Sequence, residues 1–485
     1  MERWEWKASL SIGAVLFAVL MALSGRYGFQ RDELYILQCG QHLQASYVDQ
    51  PVLAPLLARI SYAAFGLSMP GLRWWPALAA VGTVLAGGLL AREFGGGRRP
   101  QIMASVAAAT MPAVYVSAHV ANTTAPMICA EGFLCLMVAR IGRTGDSRWW
   151  MAAGAVAGIG AEDNHQVGLL AIALVIGSLI CGVRPDRWLL AGLAIALALM
   201  VPDIWWQATH GWATIPMTHA LNERNGGPAN IVIWIIGQIG VCGVWIVWAP
   251  AGLRFLWRSE RPMWRAMVWA YGILFVLFMV TTGKQTYYLT GMYPALVAGA
   301  MVSLDGLLAP SRAERRRLGA VIGVVVIVSA IIGLPLLPAS DVAWTYKVNA
   351  VSGETIGWPQ LVATVRSAWV SLPAGERANA QILTGNYSEA AAINELGHGL
   401  PTAVSGHNSY WWWGPGNPNA RTLLVVVQGG ADITDLTTAC SGVRVMATIH
   451  SPYGIPNIEN GGHVYLCTGL HESLGQLWPK LRHYN

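Results

Sequence analysis

Gly28-Phe29-Gln30-Arg31-Asp32-Glu33-Leu34-Tyr35, continued by Tyr47-Val48-Asp49-Gln50-Pro51, follows the first long apolar run of the chain, Ala8 to Leu23. It sets two adjacent carboxylates where a membrane chain would ordinarily carry plain loop. The surroundings decide what kind of chain this is. Of 485 residues, 54% are hydrophobic and only 12% charged, against about 25% charged in soluble domains. Apolar runs recur at 8–24, 72–91, 101–119, 124–140, 149–162, 165–183, 188–207, 230–253, 264–281, 286–308 and 318–337. The pattern predicts a polytopic α-helical membrane protein with about eleven spans. Arg3 and Lys7 precede the first run and no small-residue cleavage site follows it, so it reads as a retained helix.

The net charge of +6 does not indicate nucleic acid, because the arginines sit in short clusters between apolar runs. Arg92/Arg98/Arg99, Arg140/Arg143/Arg148, Arg184/Arg187, Arg254/Arg258/Arg261/Arg265 and Arg312/Arg315/Arg316/Arg317 make every second loop basic. That bias predicts a cytoplasmic N-terminus and a multi-pass protein of the inner or plasma membrane. The alternate loops, holding Arg31-Asp32-Glu33, Glu162-Asp163-Asn164-His165 and Gly283-Lys284-Gln285-Thr286-Tyr287-Tyr288, then face outward, and the polar chemistry gathers there.

The first outer loop, 25–71, is too long for a turn. Apolar positions at Ile36, Leu37 and Leu43, and again at Leu53, Leu56, Leu57 and Ile60, predict two helices lying along the membrane. Beyond the transmembrane domain, 1–338, the composition changes. Gln381 to Thr384 and Leu423 to Val427 read as buried strands and Glu389 to Leu396 as a helix, so 339–485 is expected to form an α/β domain on the outer face. Cys440 and Cys467 lie there and would form a disulfide in an oxidising compartment. The histidines are scattered, and no spacing makes a case for a metal.

Asp32-Glu33 ahead of Leu34 could simply cap a helix dipole; alternatively one carboxylate is a general base. Lys284 near a helix start, with Tyr287 and Tyr288, could hold an anion or be an interface lysine beside interface tyrosines. Glu162, Asp163 and His165 could form a hairpin turn or contribute to a substrate site. The run Tyr410-Trp411-Trp412-Trp413 must bury itself against the membrane domain or stack a sugar or partner.

The ordered set Arg31-Asp32-Glu33-Leu34-Tyr35, Tyr47-Val48-Asp49-Gln50-Pro51, Pro202 to Trp212, Gly283-Lys284 with Tyr287-Tyr288, and Tyr293-Pro294 resembles bacterial membrane glycosyltransferases of the C-type (GT-C) fold. The group is that of the protein O-mannosyltransferases and the aminoarabinose transferase of lipid A, glycosyltransferase family 39. The resemblance implies a GT-C transmembrane domain and a polyprenyl-phosphate-sugar donor. It implies an envelope glycan, lipid or protein as acceptor. No cofactor is predicted, and the transfer is either metal-independent or assisted by a divalent cation for which the sequence offers no ligand spacing. It implies Asp32 as catalytic base with Glu33 in support, and a donor phosphate met by Lys284 with Tyr287, Tyr288, Arg31 and Arg59. Asp49, Gln50, Glu162, Asp163 and His165 are candidate substrate contacts. Relatives often carry a cation at the position of Gln50 and an acidic residue near Asn122-Thr123-Thr124. The rivals are a transporter or flippase and a non-catalytic envelope assembly protein.

Overall fold

The computed structural model describes residues 3–225, 227–281, 285–305 and 311–484. Among the described residues six helices are long and apolar enough to cross a bilayer: Trp6–Leu23, Met69–Glu93, Thr124–Thr144, Asn230–Trp257, Pro262–Thr281 and Arg312–Gly333. Two further runs are bent spans. Arg98–Thr110 meets Pro112–Ala118 at 52°, and Arg187–Leu199 meets Val201–Thr209 at 52°. Pro112 and Pro202 stand at the two breaks; a proline has no N–H to donate and its ring crowds the preceding turn. The chain is a multi-pass α-helical membrane protein.

Among the described residues every apolar run predicted from the sequence contains helix, but several of these helices are shorter than a plain span. Trp149–Ala161 has 13 residues, Gln166–Ile180 has 15, and the run from 286 opens with a 3₁₀ turn, Thr286–Met292, before an 11-residue helix Tyr293–Ser303. Spanning needs about 20 residues, so these helices depend on packing. Gly154 and Gly192 show how close that packing is: a Cβ at Gly154 would strike the backbone of Gly192, and one at Gly192 the carbonyl of Trp150. Small residues let helix backbones approach where lipid gives no hydrophobic drive.

The first loop folds as two short helices, Arg31–Gln41 and Leu53–Phe65. At 11 and 13 residues they extend roughly 16–20 Å, well short of a membrane core of about 30 Å. After residue 357 come the helix Trp358–Val370, strand β1 (Ala380–Thr384), the helix Tyr387–Leu396, then β2 (Val404–Ser405), β3 (Thr422–Val427), β4 (Cys440–Thr448) and β5 (His463–Leu470). The sheet order is β2-β1-β3-β5-β4. β1 is parallel to β2 and β3, with Ile382 opposite Leu424, and β5 is antiparallel to β3 and β4. Along β3, Leu424 and Val426 enter one core while Leu423 and Val425 enter the other, as the two-residue period of a strand requires. Cys440 and Cys467 are joined as a disulfide between neighbouring strands.

One of these cores is shared with the first loop. Leu34, Tyr35, Cys39 and Tyr47 are buried in the same cluster as Val365, Ile382, Ala391 and Leu424. The tryptophan run belongs to this junction. Trp413 stacks on His42 at 4.4 Å, and Trp412 meets His210 edge-on at 4.8 Å. Of the two fates expected for that run, burial against the membrane part is the one observed. Ser46 to Val48 are tied down from below: Ser46 Oγ donates to Asp203 Oδ1 at 2.6 Å, Gln207 donates to the Tyr47 carbonyl at 3.0 Å and Thr214 to that of Val48 at 2.9 Å.

Candidate active site

The start of the Arg31–Gln41 helix separates the two carboxylates. Gln30 is its N-cap: its side-chain oxygen accepts the Asp32 N–H at 2.7 Å, while Glu33 Oε2 accepts the Gln30 N–H at 2.7 Å. This reciprocal capping satisfies donors that a helix start leaves free. Glu33 is fully buried and fully engaged. Its oxygens take Arg73 Nε at 2.8 Å and Nη2 at 2.7 Å, and Oε1 also takes the Ala121 N–H at 2.7 Å. Arg73 is itself buried and donates onward to the carbonyls of Ser24 and Gly28, each at 2.6 Å. These contacts give Glu33 an architectural place: it locks loop, helix start and the Met69–Glu93 helix together.

Asp32 turns the other way, its side chain 44% exposed. Oδ1 accepts the Tyr387 O–H at 2.9 Å, and Arg31 Nε lies 3.6 Å from the same oxygen. Arg31 also donates from Nη2 to the Tyr387 oxygen at 2.9 Å and lies 3.9 Å from Glu354 Oε1. Glu354 accepts from Gln30 Nε2 at 2.8 Å. Its carboxyl is pushed above the ordinary range by burial, against the pull of Arg31. A second carboxylate, Asp49, accepts from Tyr35 Oη at 2.9 Å and from Asn408 Nδ2 at 3.1 Å. Burial raises Asp49 to about 6; the Tyr35 bond opposes that rise and the charge of Asp32 adds to it.

These groups form the polar head of a cavity of about 930 Å³. Gln30, Asp32, Tyr35, Asp49, Gln50 and Tyr387 line the head. From there an apolar corridor runs between Pro112–Ala118, the middle of the Asn230–Trp257 span and the far end of Arg312–Gly333, walled by residues such as Val116, Val244 and Val325. A polar, acid-bearing head joined to a long apolar corridor fits an amphiphile whose reacting group sits at one end.

The sequence-derived residues distribute unevenly about this cavity. Asp32, Asp49, Gln50, Tyr287 and Tyr288 line it, as do Asn122, Thr123, Thr124 and Asn164. Lys284 lies outside the described residues; its neighbours Gln285 and Thr286 line the wall. Arg31 is not a lining residue: it lies behind the wall, held by Tyr387, Asp32 and Glu354. Arg59 is exposed and donates to the Gly40 carbonyl at 3.0 Å. It lies at the far end of the Arg31–Gln41 helix and is not among the residues lining the cavity. Glu162, Asp163 and His165 do not reach the cavity either. The Glu162 carbonyl accepts the Leu53 N–H at 2.8 Å, His165 pairs with Asp203 at 2.9 Å, and the Asp163 side chain is buried without a hydrogen-bond partner among the described residues. Tyr387, Glu354 and Asn408 are the site residues that sequence reading missed. They come from more than 300 positions away, and only the capped helix start at Asn386-Tyr387 left any local trace.

With this geometry in place, the class is that of GT-C-fold membrane proteins. Residues 49–206 match the family described as dolichyl-phosphate-mannose-protein mannosyltransferase. Among solved structures, ArnT from Cupriavidus metallidurans bound to undecaprenyl phosphate superposes with a TM-score of 0.64 at 16% identity, covering 94% of this chain and 97% of that one. Its apo form superposes equally well, at 0.64. The arabinofuranosyltransferase AftD from Mycobacteria gives 0.51 at 13% identity, over 96% of this chain and 42% of that one. No curated protein matches the chain in sequence. At these identities the structural likeness establishes the fold.

Proposed function

We propose that this protein transfers a sugar from a polyprenyl-phosphate donor to a hydroxyl-bearing acceptor, an envelope glycan, lipid or protein, at the outer face of the cell membrane. The observation that carries the proposal is the cavity itself: Asp32 stands at its polar head and a corridor of prenyl-compatible apolar walls leads away from it. The undecaprenyl phosphate bound by ArnT, which shares the fold, supports the same class of donor, and the matched family is described by a dolichyl-phosphate sugar. The arginine-rich alternate loops support an outward-facing site and a cytoplasmic N-terminus.

In the proposed reaction an acceptor hydroxyl oxygen attacks the anomeric carbon from the face opposite the phosphate. Asp32 takes the hydroxyl proton as the new carbon–oxygen bond forms. The bond from the anomeric carbon to the phosphate oxygen breaks, its electron pair leaves on polyprenyl phosphate, and the configuration inverts. Charge grows on that phosphate oxygen, so a cation is required there. We assign that role to Lys284, adjacent in sequence to the wall residues Gln285 and Thr286, together with the hydroxyls of Tyr287 and Tyr288, which line the cavity. Gln50 and Asp49 would contact the sugar from the wall they already form.

Asp32→Asn tests the proposal. The side chain keeps its shape and can still accept from Tyr387, so the protein should fold and reach the membrane. Transfer from a polyprenyl-phosphate sugar should fall by about 10²–10⁴. Wild-type transfer rates in that variant would remove Asp32 from the chemistry.

A further inference from the structure

The sheet domain contributes a side chain to the proposed base. The chain leaves the C-terminal end of β1 through Gly385-Asn386 into the helix Tyr387–Leu396, which crosses over to β2 on one side of β1, while β3 lies on the other. In open α/β sheets the carboxyl ends of the strands, where connections part in this way, form the crevice that holds ligands. Here that edge is applied to the first loop. Tyr387, following β1, reaches Asp32, and Asn408, following β2, reaches Asp49. The usual ligand crevice of the sheet is thus closed over the two carboxylates of the membrane part.

Tyr387 is held rigidly for this purpose. It is the first residue of its helix, and Asn386 caps that helix by accepting the N–H groups of Ser388 at 2.7 Å and Glu389 at 2.9 Å. The buried Glu389 answers by accepting the Asn386 N–H at 3.2 Å. The phenol ring packs on Tyr35 at 4.4 Å and on His407 at 4.8 Å, and the Arg31 guanidinium lies 5.2 Å from its centroid. The hydroxyl has one proton to give. Its oxygen already accepts from Arg31 Nη2, which leaves that proton for Asp32 Oδ1. Among the described residues Asp32 Oδ2 has no hydrogen-bond partner, so one carboxylate oxygen is pinned and the other is left for an incoming hydroxyl.

We propose that Tyr387, supplied by the sheet domain and aligned by Arg31, is the positioning residue that orients the Asp32 carboxylate, so that the site is incomplete without that domain. The inference rests on Asp32 acting as the base. Tyr387→Phe removes one oxygen and preserves the ring contacts. Its kcat/KM should fall about 10- to 100-fold, the range for losing a hydrogen bond to a charged group. The loss should lie in kcat, with the KM for donor unchanged. A merely structural tyrosine would lower the amount of folded protein and leave kcat per folded molecule in place. A second measurement needs no activity: the thermal midpoints of Tyr387→Phe, Asp32→Ala and the double variant, in the purified full-length protein. The double variant should shift less than the sum of the singles. Wild-type kcat/KM in Tyr387→Phe, or an additive cycle, overturns the proposal. Should the wild type transfer no sugar from such a donor, the functional proposal falls, and the cycle still decides whether Tyr387 holds Asp32.

Discussion

Glu33→Gln distinguishes an architectural carboxylate from a chemical one. Glu33 is 0% exposed and Arg73 1%. Their contact is a two-pronged ion pair with nitrogen–oxygen distances of 2.8 and 2.7 Å, and Glu33 also receives the N–H groups of Gln30 and Ala121. In glutamine one oxygen becomes an amino group. Whichever way the amide turns, its N–H groups face another donor, and the Arg73 charge stays buried with only the Ser24 and Gly28 carbonyls to meet it. Breaking a buried pair from one side costs about 3–5 kcal/mol, a large part of a total stability of about 5–15 kcal/mol. The thermal midpoint in detergent, followed by the surviving monodisperse peak after heating, should drop by on the order of 10 °C. The molecules that remain folded should transfer sugar at close to the wild-type rate, the reverse of Asp32→Asn. A midpoint within about 2 °C of wild type, together with lost activity, would refute this assignment and return Glu33 to the chemistry.

Three further outcomes follow from the geometry. Burial raises Asp49 to about 6 from an ordinary 3.8, so between about pH 4 and 6 the folded state binds more protons than the unfolded one. The stability this group contributes is complete below pH 4 and is lost as pH rises through 6; Asp49→Asn should flatten that part of the stability profile and raise stability at pH 7.5 by on the order of 1–2 kcal/mol, and an unchanged profile would show that Asp49 is not desolvated. The Cys440–Cys467 bond closes a loop with a sequence separation of 27, worth about 3–4 kcal/mol in chain entropy; a Cys440→Ser/Cys467→Ser variant should unfold its sheet at lower denaturant, and free thiols at Cys440 and Cys467 in unreduced, unfolded wild type, beside the five cysteines that are free in the fold, would disprove the bond. Trp413→Ala removes the ring stacked on His42 and should cost about 1–3 kcal/mol for a half-buried tryptophan, seen as faster proteolysis at the junction of sheet and first loop; unaltered cleavage would show that the run does not hold the two together.

The sequence by itself determined the membrane class, the runs that become helices, and the exceptional character of the Asp32-Glu33 loop. Each depends on short-range pattern: apolar length, arginine spacing and residues adjacent in the chain. It also marked β1, β3 and the helix between them, because buried strands and capped helices have local signatures. Strands β2, β4 and β5 escaped notice; β2 has only two residues, and β4, although the longest of the sheet, is partly exposed along its length. Which carboxylate faces the cavity could not be read in advance. Asp32 and Glu33 are equivalent neighbours until Arg73, 40 positions later, claims one of them, and either could have capped the helix. Arg31 and Arg59 looked like phosphate ligands because both are cations of the first loop; the fold engages one with Tyr387 and Glu354 and the other with a backbone carbonyl. Tyr387 is the clearest case. Nothing within ten residues of it distinguishes it from a surface tyrosine at a helix start, and it acquires a role only when packing of the sheet onto Leu34 and Tyr35 brings residue 387 within a hydrogen bond of residue 32.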